Sequence, residues 1–249
     1  MDAPRFSRRR LLRLAGAVAG LGLAAEAVRV FLYTNKHTVI PGRVYRSAQL
    51  SAAGLEREIA DRGIRTVVNL RGTCPDTSWY AAEARATVAA GVNLEDVSLS
   101  AKRLPAPAEL RRLVEVLDRT EHPILLHCQQ GADRTGLAAT MALLLHTDAT
   151  PARARRQLWP RYGHANAGRT AAIDRVFDFY EAWLAARNEL HTHDRFRHWA
   201  TAEYCPGPYR AHVALLDPPS TVPAARGFSL RVRCDNTSIE PWTFRPGAA

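Results

Sequence analysis

Apolar and polar positions change period several times along this chain, and each change marks the edge of an element. Val44-Tyr45-Arg46 follows the turn dipeptide Pro41-Gly42 and fits a short strand. Ser51 can cap a helix that runs AAGLEREIADR and stops at Gly63. IRTVVNLRG, residues 64–72, is a β-branched run closed by glycine and predicts a buried strand. WYAAEARATVAA predicts a helix ended by Gly91, and VNLEDVSLS a further strand. In 106–120, Leu110, Leu113, Val114 and Leu117 fall on one face of an amphipathic helix. HPILLHC is an apolar strand that runs into a glycine loop, and TGLAATMALLLH is an apolar helix beyond it.

Strands and helices alternate with short connections, which predicts an α/β fold: a mostly parallel central sheet flanked by helices. Past Thr150 the chain reads as helical to about Asn188, with Ile173, Val176, Phe177, Tyr180 and Leu184 in a core-facing stripe. FRHWATAEYCPGPY predicts one more short helix before Pro206-Gly207-Pro208. DPPSTVPAARG, from Asp217, reads as a linker, and 228–244 as a strand, a turn and a second strand. The expected organisation is a signal or anchor over 1–34, a catalytic domain over 36–209, and a linker with a short β extension over 210–249.

Charge changes this picture at the N-terminus. Of the formal net charge of +10, three units lie within residues 1–27, where five arginines face Asp2 and Glu26, and seven lie on the rest. Ser7-Arg8-Arg9-Arg10-Leu11-Leu12 opens an apolar run and resembles a twin-arginine export signal. Ala25-Glu26-Ala27 offers a cleavage site, so the expected product is exported, either membrane-anchored or released into the periplasm. The remaining positive charge is scattered and arginine-rich, which suits phosphorylated or anionic partners and argues against nucleic acid. Four cysteines, Cys74, Cys128, Cys205 and Cys234, form no CxxC pair, which argues against a structural zinc site. In an oxidising compartment Cys205 can pair with Cys234, and Cys74 with Cys128, as far as geometry allows.

The chemistry concentrates in His127-Cys128-Gln129-Gln130-Gly131-Ala132-Asp133-Arg134-Thr135-Gly136. A loop of this length between a strand and a helix turns consecutive backbone N–H groups toward one point, and the helix aims its positive end there too. A thiolate or a phosphate dianion is stabilised at such a point, so Cys128 is the candidate nucleophile. Arg134 can close the ring with its planar fork, and Thr135 can donate to the sulfur. Gln129, Gln130, Gly131 and Ala132 supply the cradle's backbone, and Gly131 and Gly136 permit the curl. His127 is expected to hold the loop through hydrogen bonds rather than to act as a base. A nucleotide-binding loop is excluded, because G-x-x-x-x-G-K is absent.

These residues resemble the signature of cysteine-dependent protein tyrosine and dual-specificity phosphatases, His-Cys-x5-Arg-(Ser/Thr)-Gly. HTVIPGRVYRSAQL, TVVNLRG and HCQQGADRTG, in that order, are similar to a bacterial membrane-anchored group of them. The resemblance covers roughly Lys36 to Tyr209. It implies attack of Cys128 on phosphorus, a phosphocysteine intermediate, hydrolysis by water, and no cofactor or metal. It also implies a general acid. Such enzymes usually take it from a loop that here reads SLSAKRLPAP and holds no carboxylate. Asp133, inside the signature as in myotubularins, and Asp96, within the strand before that loop, are the two candidates. Arg46 and Arg71, at strand ends, and Arg161, Tyr162 and His164 are further residues that can face the cradle or serve as structural partners.

The expected partner is a phosphorylated protein or small phosphomonoester, with the membrane reached through the N-terminal segment where it stays uncleaved. A lipid or inositol phosphate, or an idle module that only binds phospho-ligands, are the alternatives.

Overall fold

The computed structural model describes residues 34–206, 211–217, 221 and 229–236, together with 16, 17, 20 and 22. Apart from those few positions, the leader expected over 1–34 lies outside the described residues, as does the second C-terminal strand expected past residue 236. No described helix is long and apolar enough to cross a membrane. The chain divides into two units, Met1–Tyr204 and Cys205–Ala249.

The first unit is built on five short strands: β1 (His37–Ile40), β2 (Val44–Ser47), β3 (Thr66–Asn69), β4 (Asn93–Asp96) and β5 (Ile124–His127). Their order is β1-β2-β5-β3-β4. β2, β5, β3 and β4 run parallel, and β1 adds antiparallel to β2 at one edge. The sheet is therefore mostly parallel, as the alternation of elements predicted. β1 was not anticipated. Four edge residues, only the last two buried, carry too little periodicity to announce a strand. β4 is shorter than the run 92–100 implied, because the chain leaves the sheet after Asp96.

Both faces of the sheet are covered. The helices are α1 (Ala52–Arg62), α2 (Ser78–Ala90), α3 (Pro107–Arg119), α4 (Asp133–His146), α5 (Pro151–Ala154), α6 (Ala171–Ala186) and α7 (His193–His198). Successive residues of a strand point to opposite faces. Val68 and Leu126 accordingly enter the larger core with α3, α4 and α6, whereas Val67 and Leu125 pack with Leu55 and Ile59 of α1 and Ala86 of α2. This is why β5 reads as an apolar run and β3 as a β-branched one, without alternation. α4 is buried along nearly its whole length, from Thr135 to Leu145, which accounts for its lack of a polar face. The stripe on α6 is buried as expected. The helix expected over 196–209 instead starts at His193, where the Thr192 hydroxyl accepts from Arg195 N, and continues as a π-helical turn over Trp199–Glu203.

In the second unit, β6 (Ala211–Leu216) pairs antiparallel with β7 (Arg231–Asn236), from Ala211 opposite Asn236 to Leu216 opposite Arg231. β7 falls in the expected strand. β6 lies in a stretch with no strand expectation, where AHVALL precedes the Pro-Pro pair of the linker.

Candidate active site

Ser47, His127 and Asn69 end three neighbouring parallel strands and stand in register. The chain leaves the sheet there at Cys128, at the carboxyl ends of the strands, where α/β sheets bind ligands. Residues 128–132 then curl into the start of α4.

The curl is held from outside by its carbonyls. Gln49 N donates to Gln129 O (3.2 Å) and Asn35 Nδ2 to Gln130 O (3.0 Å). Arg46 Nη2 donates to Gly131 O (2.6 Å) and Ala132 O (3.3 Å). Ala132 O also accepts from Gly136 N at 2.7 Å. With four consecutive carbonyls drawn outward, the planar peptides turn the N–H groups of the following residues, 130 to 133, to the inside, where they meet no acceptor among the described residues. α4 begins at Asp133 with no side chain capping its first turn, so its leading amides are also left to whatever the loop encloses. Gly131 has φ of 69°, and a Cβ there would lie 2.7 Å from the backbone of Ser47 and Ala48. Glycine is required on both counts.

Arg46 serves as a structural partner of the cradle, through hydrogen bonds to its carbonyls rather than through a salt bridge. It is buried beneath the loop, with Nη1 donating to Gln157 O and Oε1, both at 2.8 Å, and its guanidinium 4.1 Å from the centre of the Tyr162 ring. Burial pulls its pKa down to about 10, with Tyr162 and Cys128 acting in the opposite direction, so it stays charged at neutral pH.

Cys128 itself is buried, and all four cysteines are free thiols. Buried polar atoms without a protein partner gather in and beside the loop: Arg134 Nε, Thr135 Oγ1, His127 Nδ1, and Ser47 Oγ. The expected bond from Thr135 to the sulfur is thus not made, and the hydroxyl is left unpaired. Unpaired buried donors are costly. Arg134 Nε and the hydroxyls of Thr135 and Ser47 are donors at the strand ends and the start of α4, and an entering anion is the kind of partner that would satisfy them.

His127 ends its strand in a buried hydrogen bond to a carboxylate that leads on to the loop. Its Nε2 lies 3.1 Å from Glu83 Oε1 of α2, both side chains being buried. Glu83 also accepts from Gln49 Nε2, and Gln49 Oε1 accepts from Arg71 Nη1 at 3.2 Å. Arg71 stacks on Trp79, 3.6 Å from its ring centre. Its pKa is lowered first by burial and next by the charge of Arg134. Through Gln49, whose N donates to Gln129 O, Arg71 is linked to the loop.

The two acid candidates differ in their surroundings. Asp96 accepts from Asn69 Nδ2 (2.7 Å), Thr73 Oγ1 (3.2 Å) and the Tyr80 hydroxyl. Its hydrogen bond and then burial push Tyr80 up to about 12. Both Asp96 oxygens are thereby used as acceptors that pin β3, β4 and the 70–73 turn. Asp133, first residue of α4, places Oδ1 2.7 Å from His164 Nδ1, and His164 Nε2 lies 2.8 Å from Asp174 Oδ2 of α6. The carboxylate-free loop 97–106 is tied down by Glu109, which accepts from Ala106 N (2.7 Å) and pairs with Arg103.

Residues 33–150 match the family model described as a DSP-PTPase phosphatase fused to NAD+ kinase. Over those residues the chain is a cysteine-dependent phosphatase of the tyrosine and dual-specificity kind. No curated protein matches this phosphatase. Among solved structures, TpbA of P. aeruginosa is 23% identical over 61% of this chain and 91% of its own, with a TM-score of 0.46. The core catalytic domain of the PP-IP phosphatase SIW14 from S. cerevisiae is 21% identical over 62% and 92%, with a TM-score of 0.45. PTPMT1 is 17% identical over 61% and 99%, with a TM-score of 0.44.

Asn35, Gln49, Glu83, Gln157 and Asp174 support the phosphatase loop and were not anticipated. Asp174 alone left a sequence signal: it follows Ile173 and precedes Val176 and Phe177 on an otherwise apolar stripe. The others are single polar residues on short elements, and only the folded contacts distinguish them.

Proposed function

We propose that this phosphatase hydrolyses phosphomonoesters on protein side chains, phosphotyrosine foremost, with Cys128 as nucleophile. The Cys128 thiolate attacks phosphorus, the bond to the alcohol oxygen breaks, and Asp133 gives that oxygen a proton. Water then attacks the phosphocysteine, the S–P bond breaks, and Asp133 takes the proton that water releases. The Arg134 fork and the amides of the loop hold the phosphoryl oxygens through both steps, Thr135 donates to the sulfur as it leaves phosphorus, and Gly136 lets α4 pack close against Gln157 and Leu158. His127 holds the strand end through Glu83.

The observation that carries this proposal is the loop itself: carbonyls bonded outward, amides inward, and Arg134 Nε and Thr135 Oγ1 buried without partners beside Cys128. Asp133 is preferred to Asp96 as the acid because Asp96 is fully engaged as a hydrogen-bond acceptor. The arginine-rich N-terminus supports export and work at or beyond the membrane, with the leader retained or cleaved.

A membrane lipid or inositol phosphate is the second candidate substrate, favoured by Arg71. Stacked on Trp79 and close enough to feel Arg134, it offers a second phosphate a cation outside the loop.

The test is hydrolysis of p-nitrophenyl phosphate by the reduced protein, with Cys128→Ser and Asp133→Asn beside it, followed by phosphotyrosine peptides and a polyphosphorylated inositol. Activity lost in Cys128→Ser is expected. No turnover by the folded, reduced wild type would leave only a phospho-ligand binder. Preference for the inositol, lost in Arg71→Gln, would move the assignment to the second substrate.

A further inference from the structure

His164 sits where a proton for the reaction can be kept. Its side chain has no exposed surface, and each ring nitrogen faces a carboxylate: Nδ1 to Asp133 at 2.7 Å, Nε2 to Asp174 at 2.8 Å. Asp174 is 9% exposed and Asp133 19%. Asp133 is thus the more open end of the chain Asp174–His164–Asp133, and its second oxygen takes no hydrogen bond from a described residue.

A buried imidazole between two carboxylates holds both protons. Burial opposes the charge, but the hydrogen bonds to Asp133 and Asp174 and their negative charges outweigh it, and His164 is raised to about 9. Asp133 on α4 and Asp174 on α6 are the charged groups that face the ring. On its own segment, Tyr162 packs against His37 and Arg46, and on α6 Arg175 lies over Phe179.

We infer that His164 is the proton store behind Asp133, releasing its Nδ1 proton through that carboxylate to the leaving oxygen while Asp174 holds the ring. This rests on the assignment of Asp133 as the acid. As the P–O bond breaks, the leaving oxygen takes a proton from Asp133, and Asp133 takes the Nδ1 proton of His164. The ring ends neutral, with Nε2–H still bonded to Asp174. In the second step water gives its hydroxyl to phosphorus and its proton to Asp133, which returns one to Nδ1. Charges and protons balance over the cycle, and no outside group takes part.

The experiment compares kcat for phosphoserine, a poor leaving group, with kcat for p-nitrophenyl phosphate, a good one, on the full reduced chain. Variants are His164→Gln, Asp174→Asn and Asp133→Asn. General acids contribute about 10²- to 10⁴-fold. His164→Gln is expected to lower phosphoserine turnover at least tenfold and p-nitrophenyl phosphate turnover less than threefold. Asp174→Asn, which weakens the hold on the charged ring, is expected to move the alkaline limb of the phosphoserine profile to lower pH. A folded His164→Gln protein with an unchanged ratio of the two rates, while Asp133→Asn loses phosphoserine turnover, overturns the role of His164 and leaves Asp133 as the acid. If Asp133→Asn keeps phosphoserine turnover, both assignments fall. Should the variants not fold, histidine-selective ¹⁵N NMR of the wild type decides. Two protonated ring nitrogens for His164 at pH 7, with the proton lost near pH 9, support the store; a neutral ring at pH 7 overturns it.

Discussion

Arg46 Nη2 lies 2.6 Å from the carbonyl oxygen of Gly131, so the residue that shapes the phosphatase loop comes from β2, eighty-five positions earlier in the chain. One guanidinium serves Gly131, Ala132 and Gln157 and also covers the Tyr162 ring. Lysine keeps the charge without the planar fork. Arg46→Lys is expected to cost about 3 kcal/mol of stability, as when hydrogen bonds to a buried charge are broken. Urea unfolding measures this. A fall in kcat/KM of more than tenfold should accompany it, because Gly131 and Ala132 would no longer be held.

Two glycines of the same left-handed conformation separate the loop's need from the backbone's. Gly131 (φ 69°) would place a Cβ against Ser47 and Ala48, whereas Gly42 (φ 70°) has nothing within 4 Å. Gly42→Ala is expected to cost about 1–2 kcal/mol, the ordinary left-handed penalty, with activity unchanged. Gly131→Ala should cost more and abolish turnover. Unfolding curves beside p-nitrophenyl phosphate rates on both variants check this pair.

The cradle was legible because its chemistry is local. Cys128, Arg134, Thr135 and two glycines lie within nine residues, and the strand and helix on either side announce themselves by apolar runs. Its supports were not legible. Arg46 approaches Gly131 from β2, Asn35 approaches Gln130 from just before β1, and Glu83 approaches His127 from α2; nothing in their local spacing marks them. The same reason hid the partner of His127, which is 44 positions away. Among the acid candidates, Asp96 stood nearer the usual place in sequence, and only its three donors show it to be engaged elsewhere.

Thr135 offers a test of whether the loop trades stability for function. Its hydroxyl is buried and unpaired, and valine matches its shape without that hydroxyl. Thr135→Val is expected to leave the melting temperature unchanged or to raise it by a few degrees, while kcat falls. Thermal melts and steady-state rates on the same sample measure both arms. A drop in melting temperature would mean that the hydroxyl already has a stabilising partner.

Stability should also depend on pH through His164. Its ordinary pKa of 6.5 rises to about 9 in the fold, so the folded chain holds a proton that the unfolded chain loses earlier. The stabilisation is whole below pH 6.5, declines as pH rises above that, and is gone beyond about pH 9. Melting temperatures of wild type and Asp174→Asn, taken from pH 6 to 10, should differ most at the acid end of that range and converge at the alkaline end.

The outward turn of four successive carbonyls has a bearing on which protonation state of an ester is admitted. Apart from Asp133, which serves the leaving oxygen, the amides and guanidinium around the phosphoryl oxygens have hydrogens to give and no lone pair to receive a P–OH. A singly protonated phosphate would set its own hydrogen against those of the wall. The loop therefore selects the dianion, and occupancy should fade as solutions become more acid than the second phosphate ionisation near pH 6.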